Sequence, residues 1–235
     1  FVVTQIPTGV DGSMERAALE RELDNSVAAA MVTMPNTLGL WERGIEEVAG
    51  LVHEAGAYLY GDGANLNAIL GRARFGDLGF DVAHLNLHKS FSTPHGGGGP
   101  GAGPVLCSAE LASYLPAPVV VEGEEGLELG RPERSIGQLQ QFHGSYGVLI
   151  RAYAYLRAMG LEGLRAVSEH AVLNANYLRA LLVEAYDLPF DRGRVMHEVV
   201  FAGTRQRDEH GIRTYDIAKR LIDHGFHPPT VYFPL

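Results

Sequence analysis

The chain has 235 residues, of which 46% are hydrophobic, with one cysteine, a mean hydropathy near zero and a formal charge of −9. That is the composition of a soluble globular protein with a substantial core. Its acidic balance, without any run of lysines or arginines, argues against nucleic acid and anionic membrane as partners. Cys107 excludes an intrachain disulfide and fits a reducing compartment, the cytoplasm. No apolar stretch reaches the length of a membrane span and no signal peptide opens the chain.

In chain order, Phe1 to Ile6 reads as a strand, Glu15 to Leu23 as a helix entered through Ser13, and Val27 to Met34 as a buried strand ending in the turn PNTLG, Pro35 to Gly39. A helix is expected over Ile45 to Ala55, with apolar Ile45, Val48, Ala49 and Val52 on one face and Gly56 as its cap. Short apolar runs follow at Ala57 to Tyr60 and Val82 to Leu87, then a strand at Pro104 to Cys107 and a short helix from Ala109 to Leu115. Strands alternating with helices imply a parallel sheet covered on both faces. Pro116 to Leu129 reads as two extended pieces joined by an acidic glycine turn. Two long helical patterns follow, Ser135 to Met159 and Gly163 to Ala185. After Pro189 the pattern changes: Met196 to Ala202, a helix from Thr214 to His224 and a strand near Tyr232 suggest a smaller α+β unit. The expected division is a large α/β domain over 1–188 and the start of a small α+β domain over 189–235. The chain opens FVVTQIPTG without a methionine and stops in HPPTVYFPL. Termini seldom cut into apolar runs, so an internal stretch of a longer protein is expected.

The chemistry concentrates in HLNLHKSFSTPHGGGGPG, His84 to Gly101. Here an apolar strand ends on Lys89, followed by the hydroxyls of Ser90 and Ser92 and by four glycines, Gly96 to Gly99. An ammonium at the mouth of a buried strand is unusual, and glycines let a backbone approach a ligand closely. Upstream, Asp62 ends another strand in GDGANLN. Taken singly, Lys89 is a loop lysine and Asp62 a turn residue before Gly63. Together with the glycine run they form a pyridoxal phosphate constellation: an amine to condense with the cofactor aldehyde and a carboxylate to keep the pyridine nitrogen protonated. Two strand ends 27 residues apart leave room for the crossover of an open parallel sheet, which gathers ligand groups at the carboxyl ends of its strands.

In PNTLG, Asn36 or Thr37 could reach the cofactor's ring hydroxyl, and the sequence does not decide between them. The alternative is an ordinary asparagine turn. Ala64 is small enough to pack against a flat ring. His88 is placed to orient cofactor or substrate, and His95 to shuttle a proton or hydrogen-bond the loop. A metal reading of His84 and His88 fails on a strand, where positions four apart are separated by about 13 Å. The glycine run lacks the GK(S/T) ending of a phosphate-binding P-loop. A mobile loop gating the cofactor fits it better. Met196-His197-Glu198 carries no assigned role, and HPPTVYFP could line the site entrance.

DGANLNA, HLNLHKSFSTPHGGGGPGAGPV and FHPPTVYFP closely resemble the glycine decarboxylase family, the pyridoxal-phosphate-dependent P-protein of the glycine cleavage system, and the likeness runs along almost the whole chain. The resemblance implies an aspartate-aminotransferase-type (fold type I) α/β fold lacking its first part. It assigns Lys89 to covalent attachment of pyridoxal 5'-phosphate and Asp62 to the ring nitrogen. It also implies decarboxylation of glycine, with transfer of the aminomethyl group to the lipoyl group of the H-protein. PNTLGLWE resembles the bacterial two-subunit form, implying a subunit 1 partner and a heterotetramer or dimer of dimers. The competing classes are another fold type I decarboxylase or lyase, a catalytically silent binding subunit, which would have no need of Lys89, and a metal hydrolase.

Overall fold

Four strands make the central sheet of this computed structural model, which describes residues 2–98, 101–139 and 143–231. β1 (Ala29–Thr33), β2 (Tyr58–Gly63) and β3 (Val82–Leu85) are parallel neighbours, and β4 (Val105–Cys107) completes the order β1-β2-β3-β4 antiparallel to β3. The sheet is therefore mixed where a parallel one was expected. The loop after β3 folds back on its own stem, with Leu85 N–H donating to Pro104 O at 2.9 Å and Leu87 N–H to Ala102 O at 3.4 Å. The chain thus re-enters the sheet beside the end it has just left, which forces an antiparallel partner.

Helix α1 (Arg16–Glu22) is capped by Glu15 without a side-chain bond, and Ser13 is used elsewhere, its N–H donating to Asp11 Oδ1 at 3.0 Å. Helix α2 (Ile45–Glu54) buries Ile45, Val48, Ala49 and Val52 at the expected three-to-four spacing, and Gly56 follows its end at φ 79°. That left-handed conformation is the reason for glycine there. On β2 the core face carries Gly61, where a Cβ would lie 2.7 Å from the ring of Phe75. Phe75 meets Phe80 edge to face at 5.1 Å, so the missing side chain makes room for an aromatic pair under the sheet.

Helix α4 (Tyr146–Leu182) is broken at Gly160, with φ 60° and ψ −176°, so two helical segments are present as expected. The first begins eleven residues later than the sequence pattern suggests, since Gly137 at φ 97° and Gly144 at φ 95° interrupt any helix before Tyr146. Ser168 pins the second segment to the loop that follows β2: its buried hydroxyl donates to Leu70 O at 3.1 Å.

β5 (Val119–Gly123) and β6 (Gly126–Gly130) form the expected hairpin around Glu124 and Glu125. The short helix at Ala109 to Leu115 is reduced to a 3-10 turn, Ala112–Tyr114. Val2 to Ile6 contains no strand; its valines are exposed, and the first bridge is Thr8 with Met14. Met196 to Ala202 holds no helix or strand beyond the isolated bridge of Ala202 with Asp187. Met196 N–H donates to Gly39 O at 2.7 Å and Val195 N–H to Asn176 Oδ1 at 3.1 Å, so the segment docks on the PNTLG turn and on α4. Helix α5 (Thr204–His210) was not anticipated, whereas α6 (Thr214–Asp223) was. The strand near Tyr232 lies outside the described residues. Among the described residues no helix is long and apolar enough to cross a membrane.

Candidate active site

The register of β2 and β3 builds the site. Asp62 lies inside β2, directly opposite His84 on β3, and Gly63 faces Leu85. A Cβ on Gly63 would come within 2.2 Å of His84 O, so glycine allows the two strands to sit this close where the carboxylate emerges. β3 stops at Leu85, two residues earlier than expected. Lys89 therefore rides not on the strand but on helix α3 (Leu87–Ser90), whose single turn is closed by Lys89 and Ser90 N–H donating to Asn86 O, both at 3.1 Å. α3 packs against the 3-10 turn Leu66–Ala68, which follows Asp62 in DGANLNA. The helix of Lys89 and the loop of Asp62 are thus neighbours, and Lys89 itself is exposed.

Asp62 is held from three sides. Thr33 Oγ1 on β1 donates to Oδ2 at 3.0 Å, Ala64 N–H donates to Oδ1 at 2.9 Å, and His84 Nε2 stands 3.2 Å from Oδ1. A carboxylate has about four lone-pair sites. Oδ2 accepts from Thr33 alone among the described residues. Ala64 is buried, and its backbone serves the aspartate. His84 Nδ1 in turn lies 3.0 Å from the hydroxyl of Tyr60, with the two rings stacked at 5.9 Å. Thr33 and Tyr60 have no place in the sequence reading, and His84 figured there only as a rejected metal ligand. The period-two rule could have found them: Tyr60 and Asp62 share a face of β2, and His84 meets that face from β3.

The PNTLG turn follows β1. Asn36 spends its side chain on the turn itself: Oδ1 accepts from Leu38 N–H at 3.0 Å and Leu40 N–H at 3.1 Å, and Nδ2 donates to Gly12 O at 3.0 Å. Thr37 is exposed beside it. Asn65, from DGANLN, is buried and donates to Pro35 O at 2.9 Å, tying this turn to the Asp62 loop. Met196-His197-Glu198 gains a structural role, because Gly39, at φ 74°, packs so closely on Glu198 that a Cβ would lie 2.0 Å from its carbonyl oxygen.

Around Lys89 several polar atoms are buried without partners among the described residues: His88 Nδ1, Ser90 Oγ and Thr93 Oγ1. His88 meets His95 edge to face at 4.6 Å. Burial first, then the neighbouring His95 and Lys89, pushes the His88 imidazole below its ordinary range. The two histidines of the HxxxH spacing thus part company, His84 to Asp62 and His88 to His95. Ser92 adopts φ 55°, a left-handed conformation costly for a residue with a side chain, four positions before the glycine loop begins its own left-handed turns at Gly96 and Gly97.

Comparison with solved structures places the fold. Apo cysteine desulfurase from Thermococcus onnurineus superposes with a TM-score of 0.63 at 18% identity, covering 93% of this chain and 53% of that one. Burkholderia pseudomallei sphingosine-1-phosphate lyase gives 0.61 at 15%, covering 97% and 50%. The architecture is the fold type I α/β architecture of pyridoxal-phosphate-dependent enzymes. In sequence, the family model described as "Glycine dehydrogenase, C-terminal domain" matches residues 167–235. Proteins named "Probable glycine dehydrogenase (decarboxylating) subunit 2" match all of this chain: 52% identity in Chlorobium phaeobacteroides, 55% in Methylococcus capsulatus and 54% in Listeria monocytogenes. This chain is similar to these proteins over its whole length, and it spans about half the length of these relatives, 48–49%.

Proposed function

We propose that this chain is the part of a glycine-decarboxylating enzyme that holds pyridoxal phosphate by its aldehyde and by its ring nitrogen. The observation that carries the reading is the convergence of Asp62 with the helix of Lys89 at one end of a sheet whose fold is that of pyridoxal-phosphate enzymes. The local chemistry suits such a ligand. Asp62 Oδ2 accepts from Thr33 alone among the described residues, and His88, Ser90 and Thr93 bring buried polar atoms with no other partner there. Metal ligation has no comparable support.

Lys89 is the covalent attachment point. Asp62 accepts from the protonated ring nitrogen, with Ala64 against the ring. Thr37 is the residue for the ring hydroxyl and Asn36 the residue that shapes its turn, since the Asn36 amide is already committed to three backbone groups. His88 on α3 and His95 in the loop after it, their rings 4.6 Å apart, orient substrate or cofactor. Bound there, pyridoxal phosphate would supply an electron-withdrawing ring for removal of carbon dioxide from an amino acid. The chain's own contribution is to fix the negative charge of Asp62 on the ring-nitrogen side and to present an exposed amine at Lys89.

The substrate is glycine, and the acceptor of the remaining aminomethyl group is the lipoyl arm of an H-protein. The partner is a subunit 1 chain, in a heterotetramer or dimer of dimers in the cytoplasm. Residues 1–188 act as the large cofactor domain and 189–235 begin the small one. The identity over the whole chain with relatives of that name supports the substrate and the subunit partner. The test is exchange of labelled bicarbonate into the carboxyl group of glycine by the full-length protein with subunit 1 and lipoylated H-protein. Exchange that requires pyridoxal phosphate is expected; its absence under these conditions refutes the reading.

A further inference from the structure

Asp62 has a neighbour that the proposed chemistry does not yet use. His84 is three-quarters buried on β3, with Nε2 3.2 Å from Asp62 Oδ1 and Nδ1 3.0 Å from the Tyr60 hydroxyl. The hydrogen-bond roles along this row follow from its far end. Burial, helped by the charge of Asp62, pushes the Tyr60 phenol above its ordinary range, so its oxygen keeps a proton that it can donate. An imidazole that accepts from this hydroxyl at Nδ1 carries its proton on Nε2, on the side of the carboxylate. Tyr60 and Asp62 are two residues apart on β2, and His84 is paired directly with Asp62 across the sheet, so the backbone fixes all three on one face.

We propose that Tyr60 and His84 form a positioning relay for Asp62, in which the Tyr60 hydroxyl sets the His84 tautomer and the Nε2–H of His84 occupies Oδ1. With Ala64 N–H on the same oxygen and Thr33 on Oδ2, the carboxylate can turn only one oxygen to the pyridine nitrogen. This rests on the reading of Asp62 as the ring-nitrogen partner, and it adds the reason the aspartate presents Oδ2 and not Oδ1. His84 works through Asp62 and touches no reacting atom. A bare carboxylate could swing its two oxygens and share the ring proton between geometries. The relay removes that freedom before the cofactor arrives, which lowers the cost of binding it.

The test uses the full-length protein freed of cofactor and titrated with pyridoxal 5'-phosphate, reading the dissociation constant and the visible absorbance of the bound form. Loss of one positioned donor is expected to weaken binding roughly fivefold to tenfold in His84→Phe, which keeps a ring against Tyr60 but has no N–H. Tyr60→Phe, which removes one hydroxyl from the row, is expected to weaken it about twofold to fivefold. His84→Gln, whose side-chain amide can still donate to Oδ1, is expected to restore most of the affinity and the wild-type absorbance maximum. In an Asp62→Asn background the His84→Phe change is expected to add nothing, because the relay has no other route to the cofactor. Unchanged affinity in both His84→Phe and Tyr60→Phe overturns the relay, as does a His84→Phe loss that persists in full on top of Asp62→Asn. If Asp62→Asn by itself leaves affinity and absorbance untouched, the assignment of Asp62 fails, an outcome separate from failure of the relay alone.

Discussion

Gly39→Ala tests how the PNTLG turn and the Met196-His197-Glu198 segment hold each other. The new methyl would lie 2.0 Å from Glu198 O and 2.8 Å from its carbonyl carbon, both backbone atoms that cannot rotate away. Gly39 also sits at φ 74°, a conformation that costs a residue with a Cβ about 1–2 kcal/mol. Gly56→Ala isolates that second cost, since Gly56 has φ 79° and nothing within 4 Å of an added Cβ. The clash at Gly39 adds about 1–3 kcal/mol by the usual cost of overpacking. Gly39→Ala is therefore expected to lose about 2–5 kcal/mol, against about 1–2 kcal/mol for Gly56→Ala. Trp41, the single tryptophan of the chain, lies two residues from Gly39, and its carbonyl accepts from Arg192 at 3.3 Å. Urea melts followed by its fluorescence report on the docking directly. Equal losses in the two variants would refute the argument, because they would mean the segment is not seated on Gly39.

Three further outcomes are expected. Asp62→Asn should weaken cofactor binding roughly tenfold to a hundredfold, the worth of one charge-assisted hydrogen bond, in an equilibrium titration; near-normal affinity would remove Asp62 from the ring nitrogen. Asn36→Ala should cost about 2–3 kcal/mol of stability through its lost turn bonds, whereas Thr37→Ala should stay within about 0.5 kcal/mol yet weaken the cofactor; the reverse pattern in melts and titrations would exchange their roles. Because burial depresses the His88 pKa, the unfolded chain takes up this proton first as pH falls. The His88 contribution is therefore neutral above the ordinary imidazole range and destabilising as pH drops through it. Thermal melts of wild type and His88→Asn should converge toward acid pH relative to their difference at pH 8, and parallel curves would contradict this.

The sequence carried the helices with clear apolar stripes, such as α2, and the run of strands that delivers Asp62. Local signals were enough there, because Ile45, Val48 and Val52 mark one face without help from the rest of the chain. It was less able to show where β3 ends. Val82 to Leu87 alternates as a strand should, and only the carbonyl of Asn86, accepting two N–H groups, turns the last residues into the helix that bears Lys89. The antiparallel return of β4 depends on pairing between residues far apart, Leu85 with Pro104 and Leu87 with Ala102, which no periodicity encodes. The same holds for the surroundings of Asp62: its motif was legible, but Thr33, Tyr60 and His84 reach it across three strands. Gly39 looked like an ordinary turn glycine, and its reason lies 159 residues away at Glu198.

The account stands or falls on Lys89. The chain has two lysines, Lys89 on α3 and Lys219 on α6, where the ammonium lies 5.0 Å from the centre of the Tyr215 ring. Incubating the full-length protein with pyridoxal 5'-phosphate, reducing with borohydride and mapping the peptides fixes the cofactor to whichever lysine holds it. Stoichiometric label on the peptide containing Lys89, lost in Lys89→Ala, is the expected result. Label on Lys219, or on a lysine outside these 235 residues with Lys89 unmodified, would contradict the central claim.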